Sequence, residues 1–532
     1  MYIAAVPNRN SPPAILLREA YREGGKVKNR TLANLSHWQP ARIEALRRAL
    51  RGDFDHAGPE TEPTLGPCFG LLYVLKRIAD VLGITTALGK TVLGKLALFL
   101  VLARLAHQGS RLSAVRWAQD HAVSEVLGLA QFDEDDLYAA LDDLCARQEP
   151  IERALYRRYL RQRGEPPRLF LYDVTSSYLE GECNQLGAFG YDRDGKKGKM
   201  QIVIGLLTDP QGEPLAVRVF AGNRADPTTV AEQIQITKQQ FAVEELVFVG
   251  DRGMVKSRGK QALEQANLHY ITALTDPQIR RLLHEGTLQL GLFNETLCEV
   301  ENQGVRYVLR RNPAEAAREQ HRLQDKLETL AAKIVARNQE TKDKSRCQPE
   351  AGQRKLQAWI EQHKLSGLVK LQLEDRQLVM ERQPTAIEKS LQLAGCYVVT
   401  TNVLPQNMST QEVHDSYLSL QKVERDFRAM KTGLLEVRPI FLRDKNRTRG
   451  HVLCCMLALK LSREMERRLR ASFGTTDSNP HAITLPDALA SLSRLCLLQY
   501  GIDEQTTVTK LPQPSTNQKQ ILAALGVTLP SL

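Results

Sequence analysis

An apolar run, Leu169-Phe170-Leu171-Tyr172 and then Val174, encloses a single carboxylate, Asp173. Such a run reads as a strand buried on both faces, where an uncompensated Asp costs several kcal/mol unless a cation or hydrogen-bond donors sit beside it. It therefore demands a sheet covered on two sides and a group that balances the charge. The neighbouring elements narrow the choice. Residues 199–223, KMQIVIGLLTDPQGEPLAVRVFAGN, are two apolar runs around Asp209-Pro210-Gln211-Gly212, a hairpin signal. A helix follows, with Asp226 as its N-cap and Pro227 at its first position. EELVFVGDRGM (244–254) reads as another buried strand, SRGKQALEQAN as a helix and LHYITAL (268–274) as a further strand. The order is three strands, helix, strand, helix, strand, which is an α/β sheet.

A second carboxylate, Asp251, ends the strand LVFVGD, and Gly253 follows at once. The chain turns there and leaves the acid at the carboxyl edge, where open α/β sheets place their sites. Two strand-borne acids that face one another repel unless a metal lies between them. A third ligand is sought on QEVHDSYLSLQKVERDFRAMKTGLL, read as one helix from about 411 to 435. Val413, Leu420, Val423, Phe427, Met430 and Leu434 recur every three or four residues and form its buried stripe. Tyr417, Glu424 and Lys431, spaced seven apart, line one ridge beside that stripe. Singly, each acid is ordinary: an edge residue, a turn residue and a helix-surface residue. A carboxylate, a phenol and an ammonium on one ridge suit an oxygen-ligated metal with a phosphodiester across it, and it is the succession of the three acids on these elements that gives them specificity.

The net charge of +11 favours an anionic partner, of which nucleic acid is the commonest. The nine cysteines are odd in number and hold no CxxC pair, against a disulfide framework or zinc ribbon and in keeping with a reducing cytoplasm. The amino terminus shows no secretory signal, and LGKLALFLVLARLA (93–106) contains Lys95 and Arg104 and is too short for a bilayer, so no membrane is expected. Residues 1–60 are expected to hold a hairpin turning at Gly24-Gly25 and a basic helix over 40–52. Residues 61–163 are helical, and a DNA-reading helix-turn-helix is one use of them. Residues 164–279 and 391–465 form two parts of the α/β core. Between them, 280–390 is a folded insertion with a strand pair and a charged helical stretch, because compact domains rarely carry a structureless loop of that length. Residues 466–532 are expected to be helical. In GYDRDGKKGKM, Asp192 and Asp194 suggest a calcium loop, but Lys196, Lys197 and Lys199 would repel the ion, so the segment reads as a turn near phosphates. His451 is expected to pack or cap near the site and Cys454-Cys455 to lie in the core.

Asp173 on the first strand, Asp251 after the fourth and Glu424 on a late helix resemble the ribonuclease-H-like catalytic core of DDE transposases. Tyr417-(6)-Glu424-(6)-Lys431 is similar to the Tyr-(2)-Arg-(3)-Glu-(6)-Lys signature of the insertion-sequence-4 superfamily of bacterial transposases, with Leu420 in the Arg slot. GNRADPTTV, FVGDRGM and TRGHVLCCMLALKL resemble its flanking blocks. The resemblance implies a ribonuclease-H-like mixed sheet flanked by helices, with a folded insertion before the Glu helix. It implies that Asp173, Asp251 and Glu424 are catalytic and ligate Mg²⁺, for which Mn²⁺ substitutes, as two ions about 3.5–4 Å apart. Lys431, with Arg425 or Arg428, would hold the terminal phosphate, Tyr417 would position it, and Arg252 would join the DNA contacts. The implied partners are duplex DNA with terminal inverted repeats, target DNA and a second copy of the chain in a homodimer bridging two ends, in the bacterial cytoplasm at the nucleoid. The implied reaction is metal-dependent cleavage at element ends, then attack of the freed 3′-OH on target DNA. Two alternatives stay open: a metal-dependent nuclease that cuts without joining, and a catalytically decayed, transposase-derived protein that only binds DNA.

Overall fold

A computed structural model describes the chain except residues 9–11, 53–62, 192–193, 225–228, 230–239, 242–246, 253–259, 261–262, 265–267, 345, 432–434, 436, 439, 478, 504–505 and 531–532. The cap at Asp226-Pro227, most of the helix over SRGKQALEQAN, and Asp192, Gly253 and Leu434 lie outside the described residues. The chain forms two compact units, one of residues 1–72, 119–122 and 486–532, the other of residues 73–118 and 123–485.

In the first unit, strands β1 (Tyr2–Val6), β2 (Ala14–Glu23) and β3 (Lys26–Asn34) make an antiparallel sheet in that order. Gly24 and Gly25, at φ of 59° and 76°, close the β2–β3 turn in a conformation that side chains with a Cβ rarely adopt. The helix Pro40–Leu50 follows. Strand β4 (Thr64–Cys68) pairs with Cys496–Asp503, which pairs with Thr506–Lys510. The carboxyl-terminal region, expected to be helical, thus holds a strand pair between the helices Leu485–Leu492 and Thr516–Leu525. Its alternation spans too few residues to stand out beside the helical period on either side.

In the second unit, the apolar helix Val92–Ala106 is buried from Leu96 to Leu105 and packs against the helices Glu134–Ala146 and Lys445–Phe473. No single helix among the described residues is long and apolar enough to cross a membrane. Strands β5 (Leu169–Tyr178), β6 (Gln201–Thr208), β7 (Pro214–Ala221), β8 (Val247–Gly250), β9 (His269–Ala273), β10 (Cys298–Asn302), β11 (Val305–Arg311) and β14 (Cys396–Thr401) form one eight-stranded sheet, while β12 (Val369–Glu374) and β13 (Gln377–Arg382) pair separately. The large sheet runs β10-β11-β14-β9-β8-β5-β6-β7. Strands β5, β8 and β9 are parallel and β6 and β7 antiparallel. The segment β7-β6-β5-β8-β9 is the ribonuclease-H-like order, with the first strand of the core at its centre.

The hairpin β10–β11 that opens the 280–390 insertion extends this sheet, with Val308 opposite Val399 and Leu309 opposite Val398 of β14. The remainder folds on its own core, where Leu327, Leu330 and Ile334 of the helix Pro313–Asp343 pack on Leu356 and Ile360 of Pro349–Gln362 and on Val369 and Leu378. The helix expected over 411–435 is two helices, Thr410–Leu418 and Leu420–Lys431, parted at Ser419. Nothing in the sequence marks the break, since Ser and Leu both suit a helix interior; packing on different strands imposes it. The first helix lies over β8, β9 and β14 and the second over β5.

Candidate functional site

Side chains of a strand alternate between its faces. In β5, Phe170, Tyr172 and Val174 enter one core cluster together with Tyr156, Val203, Phe248 and Tyr270. Asp173 therefore faces the other way, with Leu169 and Leu171, toward the helix Leu420–Lys431 that packs on β5. It is the half-buried position in the interior of a strand whose other interior residues are buried. Its Oδ1 accepts a hydrogen bond from the backbone N–H of Val174 at 2.8 Å. The Tyr172 ring fits because β6 carries Gly205, where a Cβ would come within 2.3 Å of the Tyr172 hydroxyl.

Parallel pairing sets Leu171 beside Val249 and Tyr172 beside Gly250. Asp173 and Asp251, each the next residue, follow that pairing on neighbouring strands, about 5 Å apart in the backbone. The parity that puts Phe248 in the same cluster as Tyr172 puts Asp251 on the face of Asp173. Asp251 is exposed at the carboxyl edge, as expected from the sequence, and its carbonyl accepts the Thr272 hydroxyl at 3.2 Å.

Several buried groups fix the helix that crosses this edge. The Arg306 guanidinium, 2% exposed, donates to both oxygens of Glu299 (2.7 and 2.8 Å) and to the carbonyls of Val403 and Met408 (2.9 Å each). Thr410 donates to the same Glu299 carboxylate at 2.7 Å, and these bonds hold Glu299 below the usual carboxylate range. A capping box between Ser409 and Glu412 starts the helix. Buried His414 is bonded to the Tyr397 hydroxyl of β14 and, at 2.9 Å, to Asp415. Tyr417 is thereby delivered to the sheet edge, and its hydroxyl donates to Asp251 Oδ1 at 3.4 Å. Burial first, and then the Asp251 charge, push the Tyr417 phenol up to about 12, with the Arg252 guanidinium pulling the other way.

Glu424 is exposed on the helix packed against β5, and the break at Ser419 parts it from Tyr417, so the two do not share the one helical ridge expected from their spacing. Among the described residues no three His, Cys, Asp or Glu stand close enough together to hold a metal ion. The three-carboxylate ligand set expected of Asp173, Asp251 and Glu424 is therefore not gathered in this structure: parallel pairing sets the two aspartates on neighbouring strands, and Glu424 is exposed on the helix over β5. Leu420, in the slot where the resemblance has Arg, is buried in the stripe with Val423, Phe427 and Met430. Arg252 and Arg428 are both exposed.

Lys431 meets a partner that sequence reasoning missed. Its ammonium lies 2.7 Å from Asp194 Oδ1, and Arg438 lies 2.6 Å from the same oxygen. Asp194 Oδ2 accepts the backbone N–H of Tyr178, the last residue of β5, at 3.2 Å. The one available signal was an acid set among Lys196, Lys197 and Lys199 in GYDRDGKKGKM. His451 is buried in the helix Lys445–Phe473 and hydrogen-bonded to Arg111 at 2.9 Å, a packing role among helices, and Cys454 and Cys455 are core residues as expected.

An all-oxygen donor set of carboxylates suits a hard divalent cation. Asp173 and Asp251 supply two such groups from rigid strands, and the fit to Mg²⁺ or Mn²⁺ rests on that pair.

Comparison with known proteins gives two family matches. Residues 164–461 match the model described as transposase DDE domain, and residues 3–63 match that described as IS1634 family transposase, N-terminal domain. No curated protein matches the chain. Among solved structures, the chain is similar to piggyBac transposase in a synaptic complex with hairpin DNA, at a TM-score of 0.38 and 8% sequence identity, over 75% of this chain and 69% of that one.

Proposed function

The chain belongs to the transposase DDE-domain family, and from that premise we propose that it cuts DNA at the ends of an insertion sequence and joins the freed 3′-OH to target DNA. The observation that carries the reading is the pair Asp173 and Asp251, adjacent on parallel strands, with the helix that bears Glu424 packed on the strand of Asp173. Asp173 and Asp251 would hold Mg²⁺ or Mn²⁺, with Glu424 as third ligand. Once bound, the cation supplies activation of the attacking oxygen and stabilises charge at the scissile phosphate. The protein's own part is orientation. The Val174 N–H and the Tyr417 hydroxyl each bond one of the aspartates and limit its rotamers. Arg252, next to Asp251 in the chain, and Arg428, one helical turn after Glu424, are exposed and suited to phosphate oxygens, and Arg does this better than Lys through its fork of donors. Tyr417, kept protonated by burial and by Asp251, donates hydrogen bonds and is not a nucleophile.

The finer grouping in the insertion-sequence-4 superfamily is supported by the Tyr417, Glu424, Lys431 spacing, with buried Leu420 as the departure, while the amino-terminal match is to the IS1634 family. The DNA would carry terminal inverted repeats, and a homodimer would bridge two such ends. Purified protein is incubated with Mg²⁺ and a labelled duplex bearing the inverted repeats that flank its gene, together with a target plasmid. Cut ends covalently joined to plasmid support the proposal. Cut ends that never join leave a nuclease, and bound but uncut DNA leaves a DNA-binding protein.

A further inference from the structure

Successive residues turn by about 100° around an α-helix, so Asp426 stands about 200° from Glu424, on the opposite rim of the buried stripe. Asp426 is fully buried and ion-paired with Arg463 of the helix Lys445–Phe473. Beyond this pair opens a cavity of about 630 Å³ whose wall carries eight Arg or Lys side chains and three Glu. Lys460, Arg463, Arg467 and Arg470 recur at intervals of three and four, so one stripe of the long helix supplies half of the cations. The helix Gln148–Arg163 contributes Arg158 and Arg163 from its last turns, and the Glu424 helix contributes Arg425.

Acids of the chain offset only part of this charge. Glu464 pairs with both Arg467 (2.8 Å) and Arg468 (2.6 Å), Glu466 lies 3.5 Å from Arg463 and 3.6 Å from Arg470, Glu213 pairs with Lys460, and Arg163 is 3.6 Å from buried Asp209, which leaves Arg158 and Arg425 without an acid among these pairs. Burial, and next the charge of Arg425, push the Arg463 guanidinium down to about 10, with Glu466 pulling the other way. Its Nε is buried with no hydrogen-bond partner among the described residues. Gathering like charges in a hollow destabilises the isolated chain, and a polyanion removes that penalty.

We propose that this cavity is a second DNA-binding site, gripping a phosphodiester strand away from the reacting bond on the opposite rim of the Glu424 helix from the catalytic carboxylates. The inference rests on the reading of the chain as a protein that handles DNA. Full-length wild type and the triple variant R163A/R467A/R470A are compared for binding to a duplex of arbitrary sequence, between about 50 and 200 mM salt. Each lost phosphate contact flattens the slope of log K against log salt by about 0.9, so three lost contacts make the variant's loss of affinity over that range about 40-fold smaller than that of the wild type. The corresponding triple Lys variant keeps the charge and is expected to keep the wild-type slope. An alanine variant with the wild-type slope overturns the site, and so does a lysine variant that loses the slope as the alanine variant does, since the effect is then structural. If the wild type binds no duplex at all, the transposase reading falls with the cavity, whereas an unchanged slope sinks the cavity alone.

Discussion

Replacing Asp194 by Asn tests whether the tie between β5 and Lys431 is electrostatic. The carboxylate is 3% exposed, and Lys431 and Arg438 are 11% and 21% exposed, so solvent screens the three groups weakly. Both cations approach the same oxygen, at 2.7 and 2.6 Å, which puts their nitrogens no more than about 5 Å apart. At an effective dielectric near 20, two unit charges at that distance repel by about 3 kcal/mol once the carboxylate between them is gone. Loss of one partner of a buried ion pair falls in the same range. For a unit of this size each kcal/mol lowers the unfolding temperature by roughly 1 °C, so Asp194→Asn is expected to unfold about 3–4 °C below the wild type in differential scanning calorimetry. Adding Lys431→Met should recover a good part of the loss, because it removes one of the two repelling charges. An Asp194→Asn protein that unfolds within a degree of the wild type, or a double variant no better than the single, refutes the reasoning.

Three other outcomes follow from buried groups. Glu152 is 0% exposed and accepts from Arg218 (2.8 and 2.9 Å), Gln148 (2.9 Å), Gln240 (2.8 Å) and the Val217 N–H (3.2 Å), so Glu152→Ala strands the Arg218 charge and should cost about 3–5 kcal/mol in denaturant unfolding. Tyr417→Phe removes one long hydrogen bond to Asp251, worth about 0.5–1.5 kcal/mol, and should slow cleavage by roughly 2- to 10-fold in a single-turnover assay without abolishing it. Burial first, then Arg111 and Arg104, hold His451 well below its ordinary value of 6.5. The unfolded chain takes up that proton as pH falls below about 6.5 and the folded chain does not, so the stability this group contributes is present above that pH and lost below it. His451→Gln should therefore flatten the acid side of the unfolding-temperature profile.

The apolar run at 169–174, its interruption by Asp173 and the turn after Asp251 were enough to place two carboxylates on one sheet, because strand burial and strand ends leave local marks. The hairpin at 199–223 and the Gly24-Gly25 turn were legible for the same reason. The union of β10 and β11 with the catalytic sheet was not, since Arg306 pairs with Thr401 across a helical insertion and no local pattern encodes that partner. The break at Ser419 leaves no mark in the sequence because the apolar stripe runs unbroken through Leu420 and only the strands beneath distinguish the two helices. Lys431 read as a phosphate ligand from its ridge, yet the Asp194 that binds it lies 237 residues away. The cationic cavity was hidden by the same distance, as KLSREMERRLR reads alone as a solvated helix face until Arg158 and Arg163 are brought opposite it.

The most direct test of the account is single-turnover nicking of element-end DNA with Mg²⁺ by Asp173→Asn, Asp251→Asn and Glu424→Gln, with the affinity of each protein for that DNA measured alongside. All three are expected to lose cleavage while binding stays within about twofold of the wild type, because Asn and Gln keep the shape of the carboxylates they replace and remove only the charge that would hold the metal. Cleavage at the wild-type rate by the Asp173→Asn protein would contradict it outright.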